Sequence, residues 1–120
     1  MAHLLVIDDN ADIRNLYTEQ LKDDGHQVTA AANGDEAMAH LRNNGFDLVV
    51  LDIKLDHESG LDLLRQINRE DHTVPVILCS AFRSYQDDFS SWLADSYVVK
   101  SASLDELKHE IRRILLRETH

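Results

Sequence analysis

One cysteine, one proline and four glycines are all that this 120-residue chain holds of the residues that staple, kink or loosen a polypeptide. A lone Cys79 cannot close an intramolecular disulfide, so a reducing cytoplasm is the expected setting. With so little proline and glycine, no disordered or low-complexity stretch is expected, and neither repeat nor linker is visible. Apolar runs last only a few residues, far short of the ~18 that a membrane span requires, so no membrane insertion is expected. The opening MAHLLVIDDN turns acidic too soon for a signal peptide. Basic residues are scarce as well: 12 against 22 acidic ones, a formal charge of −10. That balance repels a phosphate backbone and argues against direct nucleic-acid binding, while it admits a cation or a basic partner. The chain has no G-x-x-x-x-G-K-[ST], G-x-G-x-x-G or G-x-S-x-G, so nucleotide cradling and serine hydrolysis lack support. Its seven histidines show no metal-ligand spacing.

What is present is alternation. Short apolar runs and amphipathic segments follow each other five times. His3–Ile7 reads as a buried strand, followed by a helix opened by Asn10, closed by Gly25 and carrying Ile13, Leu16, Tyr17 and Leu21 inward. Val28–Ala32 is a weaker strand. The next helix starts at Asn33 with Glu36 as its capping-box partner, turns Ala37 and Leu41 inward and stops by Gly45. Leu48–Leu51 is the third strand, and Ser59 opens a helix with Leu61, Leu64 and Ile67 on one face. Val74–Cys79 is the fourth strand. A fourth helix is expected with a Ser84–Asp87 cap and Tyr85, Phe89, Trp92 and Leu93 on a shared face. Tyr97–Val99 is the fifth strand. Ser103–Glu106 is a capping box for a last helix with Leu104, Leu107, Ile111, Ile114 and Leu115 inward and arginines in its final turn. Strands apolar on both faces, alternating with helices, predict an α/β domain: a five-stranded parallel sheet, doubly wound, with helices on both faces. Ligands of such sheets bind beyond the carboxyl ends of the strands.

The residues at those ends are therefore the ones to read. The first strand ends in Asp8-Asp9, the third in Asp52, the fourth in Ser80 and the fifth in Lys100. If the first and third strands are neighbours, three carboxylates meet. Two carboxylates ~4 Å apart repel by about 4 kcal/mol at an effective dielectric near 20, so a cation belongs among them. Oxygen-only ligands supplemented by water suit Mg²⁺ better than zinc. Lys100 balances one charge of three. A hard divalent ion beside a carboxylate nucleophile is a place to bring a phosphoryl group. Singly, an aspartate at a strand end is a helix cap, Ser80 a turn hydroxyl and Lys100 a solvated end; only their joint arrangement argues for function. Cys79 reads as an inert core thiol.

The ordered set LLVIDDN, DLVVLDI, ESGLDLL (Gly60 eight residues after Asp52), VPVILCSA and SYVVK followed by SLDEL resembles the response-regulator receiver domain of two-component signalling, over essentially the whole chain. The resemblance implies a CheY-like (βα)5 fold of flavodoxin-like strand order 2-1-3-4-5; the expectation is a single receiver domain over 1–120 with no output domain in this chain, either a stand-alone regulator or a receiver excised from a longer protein. Asp52 would accept a phosphoryl group from the phosphohistidine of a sensor histidine kinase or phosphotransfer protein. Asp8, Asp9, Asp52 and the backbone carbonyl of Lys54 would hold Mg²⁺. Ser80 and Lys100 would meet the phosphoryl oxygens, and Ser80 with Tyr97 would switch the face of the fourth helix, fifth strand and fifth helix toward a downstream protein target or output domain. The chain would then be a regulatory phosphoacceptor, assisting only its own phosphorylation and dephosphorylation, and no enzyme on other substrates.

Some positions depart from the family pattern. Ser101 stands where proline is usual after the lysine, and a non-proline cis bond would cost roughly 2.5–4 kcal/mol, so a trans Lys100–Ser101 bond is expected. Asp56-His57 replaces a Met-Pro-like pair, and Ala94-Asp95-Ser96 stands where Gly-Ala is common. Two other function classes are weighed against the phosphoacceptor: a phosphate-independent interaction module and an aspartyl-phosphate phosphohydrolase. The second would carry an acid two residues after its nucleophile, where this chain has Lys54.

Overall fold

A computed structural model describes residues 2–52, 54–55, 58–71, 73–80, 94–99 and 104–118. The expected fourth helix, Lys100, Ser101 and the Ser103 cap lie outside the described residues, as do Asp56 and His57. Strands β1 (His3–Ile7), β2 (Gln27–Ala31), β3 (Leu48–Asp52), β6 (Val76–Ser80) and β7 (Ser96–Val99) form one sheet in the order β2-β1-β3-β6-β7. Every pair in it is parallel. That is the 2-1-3-4-5 order of a flavodoxin-like sheet, with the order reversing between β1 and β3. A second, two-stranded antiparallel piece, β4 (Lys54–Leu55) with β5 (Glu58–Ser59), sits in the connection after β3. Two residues per strand leave no pattern in the sequence that announces it.

Helices α1 (Ala11–Asp23), α2 (Gly34–Asn43), α3 (Gly60–Glu70) and α4 (Asp105–Glu118) complete the described elements. Among the described residues no helix is long and apolar enough to cross a membrane. Three of the predicted openers are observed. Asn10 accepts from the Ile13 N–H at 3.0 Å, Asn33 from the Glu36 N–H at 2.9 Å and Ser59 from the Asp62 N–H at 3.4 Å. Glu36 closes its box one residue early, accepting from the Ala32 N–H at 3.0 Å. At the other end of α1, Gly25 takes φ 94°, its N–H donates to Lys22 and that of His26 to Leu21. This is the Schellman ending, and the left-handed turn needs glycine.

Alternation along the buried strands builds two cores. Leu5, Ile7, Val49, Leu51, Val76 and Leu78 face Ala37 and Met38 of α2 and Leu61, Leu64 and Ile67 of α3. Leu4, Val6, Leu48, Val50, Ile77, Cys79 and Val98 face Tyr17 and Leu21 of α1 and Leu107, Ile111 and Ile114 of α4. Leu16 is a correction. It is 45% exposed, because Tyr17 and Leu21 centre the buried stripe and Leu16 lies about 100° around the helix from Tyr17. Asp95 explains the departure before β7. Its carboxylate accepts the Val76 N–H at 2.9 Å and pairs with Arg117 at 3.2 Å, so it extends the start of the β6–β7 pair and ties it to α4.

Candidate functional site

The register delivers the acids to one place. Ile7 pairs with Leu51, so Asp8 and Asp52 emerge side by side at the carboxyl ends of β1 and β3. Side chains alternate along a strand, which puts both on the side of Val6 and Val50, the face covered by α1. Asp8 is buried, at 2% exposure, and Asp52 at 7%; Asp9 is half-buried. The carboxylate oxygens of Asp8, Asp9 and Asp52 come within 4.8 Å of one another. Two buried acids and a third at the rim, with oxygen the only donor element, match the ligand chemistry of a hard divalent ion such as Mg²⁺.

Asp8 is held from several directions. Its N–H donates to the Ala31 carbonyl at 3.1 Å, its Oδ1 accepts the Asn10 N–H at 3.0 Å, and its carbonyl accepts Nη1 of Arg14 at 2.8 Å. Ser80, at 2% exposure, ends β6 one residue past the Asp52–Cys79 register pair. Alternation carries it to the opposite side of the sheet from Cys79, the side on which Tyr97 packs, partly buried, against the Leu78 core. The backbone of Lys54 lies in β4, in register with Ser59. Lys100 lies outside the described residues.

Three features of the site or its surroundings escape sequence reasoning. Tyr17 looks from the sequence like one more core residue, yet its phenol senses the acids. Its pKa is pushed far above the usual phenolic range, first by burial, then by the negative potentials of Cys79, Asp8 and Asp52. Arg14 looks like a solvated helix charge; its spacing, four residues past the Asn10 cap, was the available signal. At the amino edge of the sheet, far from the acids, His3 is more than a strand end. Its ring nitrogens lie 3.1 Å from the Gly45 carbonyl and 2.8 Å from Thr29 Oγ1, and its ring meets Phe46 at 4.2 Å.

The family model described as "Response regulator receiver domain" matches residues 4–112. The response regulator protein TrrA from Thermotoga maritima, solved in complex with Mg²⁺–BeF, superposes with a TM-score of 0.91 at 39% identity, covering 95% of this chain and 99% of that one. A chain from the structure of histidine kinase ThkA in complex with TrrA superposes with a TM-score of 0.90 at 40% identity, covering 96% of this chain and 99% of its own. The virulence transcriptional regulatory protein PhoP of Salmonella typhimurium (strain 14028s) is 34% identical over 121 residues, covering 99% of this chain and 54% of PhoP. The chain thus spans about half the length of the curated relatives it matches.

Proposed function

This chain belongs to the response regulator receiver domain family, and from that premise we propose that it is a phosphoacceptor switch working through Asp52. The observation that carries the proposal is the convergence of Asp8, Asp9 and Asp52 at the point where the strand order reverses. The donor is the phosphohistidine of a sensor histidine kinase or of a phosphotransfer protein; the likeness to TrrA, solved bound to histidine kinase ThkA, supports this choice. An Asp52 oxygen attacks phosphorus in line. The O–P bond forms as the P–N bond breaks, its electron pair returns to the imidazole, and the product is an acyl phosphate on Asp52. Asp8, Asp9, Asp52 and the Lys54 carbonyl would hold Mg²⁺; the three clustered acids and the Mg²⁺–BeF complex of TrrA support a magnesium site here. An ion held there would supply charge neutralisation at the phosphoryl oxygens.

The chain's own residues do the rest. Asp8 and Asp52 are buried, so their charges act with little screening. Lys100 pairs with the phosphoryl group and Ser80 donates its hydroxyl to it. Ser80 and Tyr97 share one side of the sheet, so a shift of Ser80 opens room into which the Tyr97 ring turns. The face that includes β7 and α4 then changes its affinity for a downstream target or output domain. The 120 residues act as one regulatory receiver unit in the cytoplasm, with no membrane insertion, no direct nucleic-acid contact and no substrate beyond their own phosphoryl group.

Intact-mass measurement after incubation with Mg²⁺ and acetyl phosphate tests this. One added phosphoryl group is expected, absent in Asp52→Asn and absent in EDTA. No gain in the wild type would favour a phosphate-independent interaction module, and rapid turnover of a phosphomonoester would favour a hydrolase.

A further inference from the structure

We infer that Arg14 is a positioning residue for the metal ligand Asp9, an inference that rests on the magnesium reading above and adds a residue to it. β1 ends at Ile7 and α1 begins at Ala11, so Asp8, Asp9 and Asn10 form a three-residue connection outside both elements. Asp8 is still anchored like a strand residue, through its N–H to Ala31 and its Oδ1 to the Asn10 N–H. Asp9 belongs to neither ladder nor helix. Its direction follows from the plane of the Asp8–Asp9 peptide, because that unit is flat and moves as one body. The carbonyl of this same peptide accepts Nη1 of Arg14 at 2.8 Å. A charge-assisted bond to one end of a rigid plane fixes its rotation, and with it the direction in which the Asp9 carboxylate leaves the backbone.

The other end of that strut is equally fixed. Arg14 stands in the first turn of α1, its N–H donates to the Asn10 carbonyl at 2.9 Å, and its own carbonyl accepts the Thr18 hydroxyl at 2.7 Å. The guanidinium therefore spans from a rigid helix turn back to the connection that carries the acids. It is half-buried, which strengthens the bond relative to a surface pair.

Charge and position make opposite claims here, and that decides the test. A cation bonded to the backbone that carries the acids repels Mg²⁺, so if charge were all that Arg14 contributed, removing it would tighten magnesium binding. If Arg14 orients Asp9, removing it loosens binding, and the loss of an outer partner of a metal ligand typically costs 10–100-fold in affinity. The experiment is calorimetric titration of the whole chain with MgCl₂, without any phosphodonor. Arg14→Gln is expected to bind Mg²⁺ about tenfold more weakly than the wild type. Arg14→Lys keeps a donor able to make the single bond to the carbonyl, and is expected to recover most of that loss. In an Asp9→Asn background, Arg14→Gln is expected to change the affinity no further, which a general loosening of the fold would not reproduce. Unchanged or tighter binding by Arg14→Gln overturns the inference, and so does an equal loss in the Asp9→Asn background. Failure of Arg14→Lys to bind better than Arg14→Gln overturns it as well. A wild-type chain that binds no Mg²⁺ removes the magnesium reading first and this inference with it.

Discussion

Replacing Asp52 with asparagine removes one charge from the acid cluster while keeping its shape. The ligand oxygens of the three acids lie within 4.8 Å of one another, which at an effective dielectric of about 20 corresponds to about 3.5 kcal/mol of repulsion per pair. Asp52 takes part in two such pairs. The pair with half-buried Asp9 is screened toward the value for solvated charges, about 1 kcal/mol. Asp52 has further partners, which offset part of this sum. Taking half of the sum, Asp52→Asn stabilises the magnesium-free chain by about 2 kcal/mol, or roughly 8 °C in Tm for a domain of this size. Magnesium acts the other way. At a concentration of 100 Kd it stabilises the wild type by about 2.7 kcal/mol, and the variant, one acid short, gains much less. Thermal melts in EDTA and in Mg²⁺ measure both effects, with urea titrations as a second probe. The variant should be the more stable protein in EDTA, and the gap should close or reverse when Mg²⁺ is added. Equal Tm values in EDTA together with equal magnesium increments would refute the clustered-charge argument.

Three more perturbations follow from particular residues. The Tyr17 phenol is held neutral in the fold and ionises near its ordinary value of 10.0 once unfolded, so its contribution is complete below pH 10 and is lost as pH rises above it. Tyr17→Phe should therefore flatten the alkaline limb of a stability–pH curve, and an unchanged limb would contradict the burial of that phenol beside the acids. Glu110 has its carboxyl pKa lowered, first by the hydrogen bond from Arg113 and then by that from Ser96. Its stabilisation is present above the usual carboxylate range and lost as pH falls through the depressed value, so urea midpoints of Glu110→Gln should vary less between pH 5 and pH 3. Gly25→Ala forces a Cβ into a φ of 94° and should cost about 1–2 kcal/mol by urea titration, whereas a neutral result would mean that the turn relaxes.

Much of this was legible in the sequence, for identifiable reasons. Strands such as Leu48–Asp52 are buried along their whole length, so they appear as short apolar runs, and the charge that ends each run marks the site edge. Asn10, Asn33 and Ser59 announce helix starts because their side chains satisfy N–H groups that no helical carbonyl can reach. Spacing alone misplaces Leu16, since an apolar residue at the margin of a stripe faces inward or outward according to what the sheet leaves uncovered. The β4–β5 hairpin was invisible because two residues per strand carry no periodicity. Arg14, Tyr17 and Asp95 were missed for a shared reason. Each acts through a partner distant in sequence or through a backbone atom, and neither leaves a trace in residue type.

The most direct test of the account is to locate the phosphoryl group. Chain phosphorylated with acetyl phosphate and Mg²⁺ is reduced with borohydride, which converts an aspartyl phosphate to homoserine, then digested and mapped by mass spectrometry. Homoserine is expected at position 52 alone, with Asp8 and Asp9 unmodified. Homoserine at either of those two residues, or a phosphoryl group that survives reduction on a serine or histidine, would contradict it.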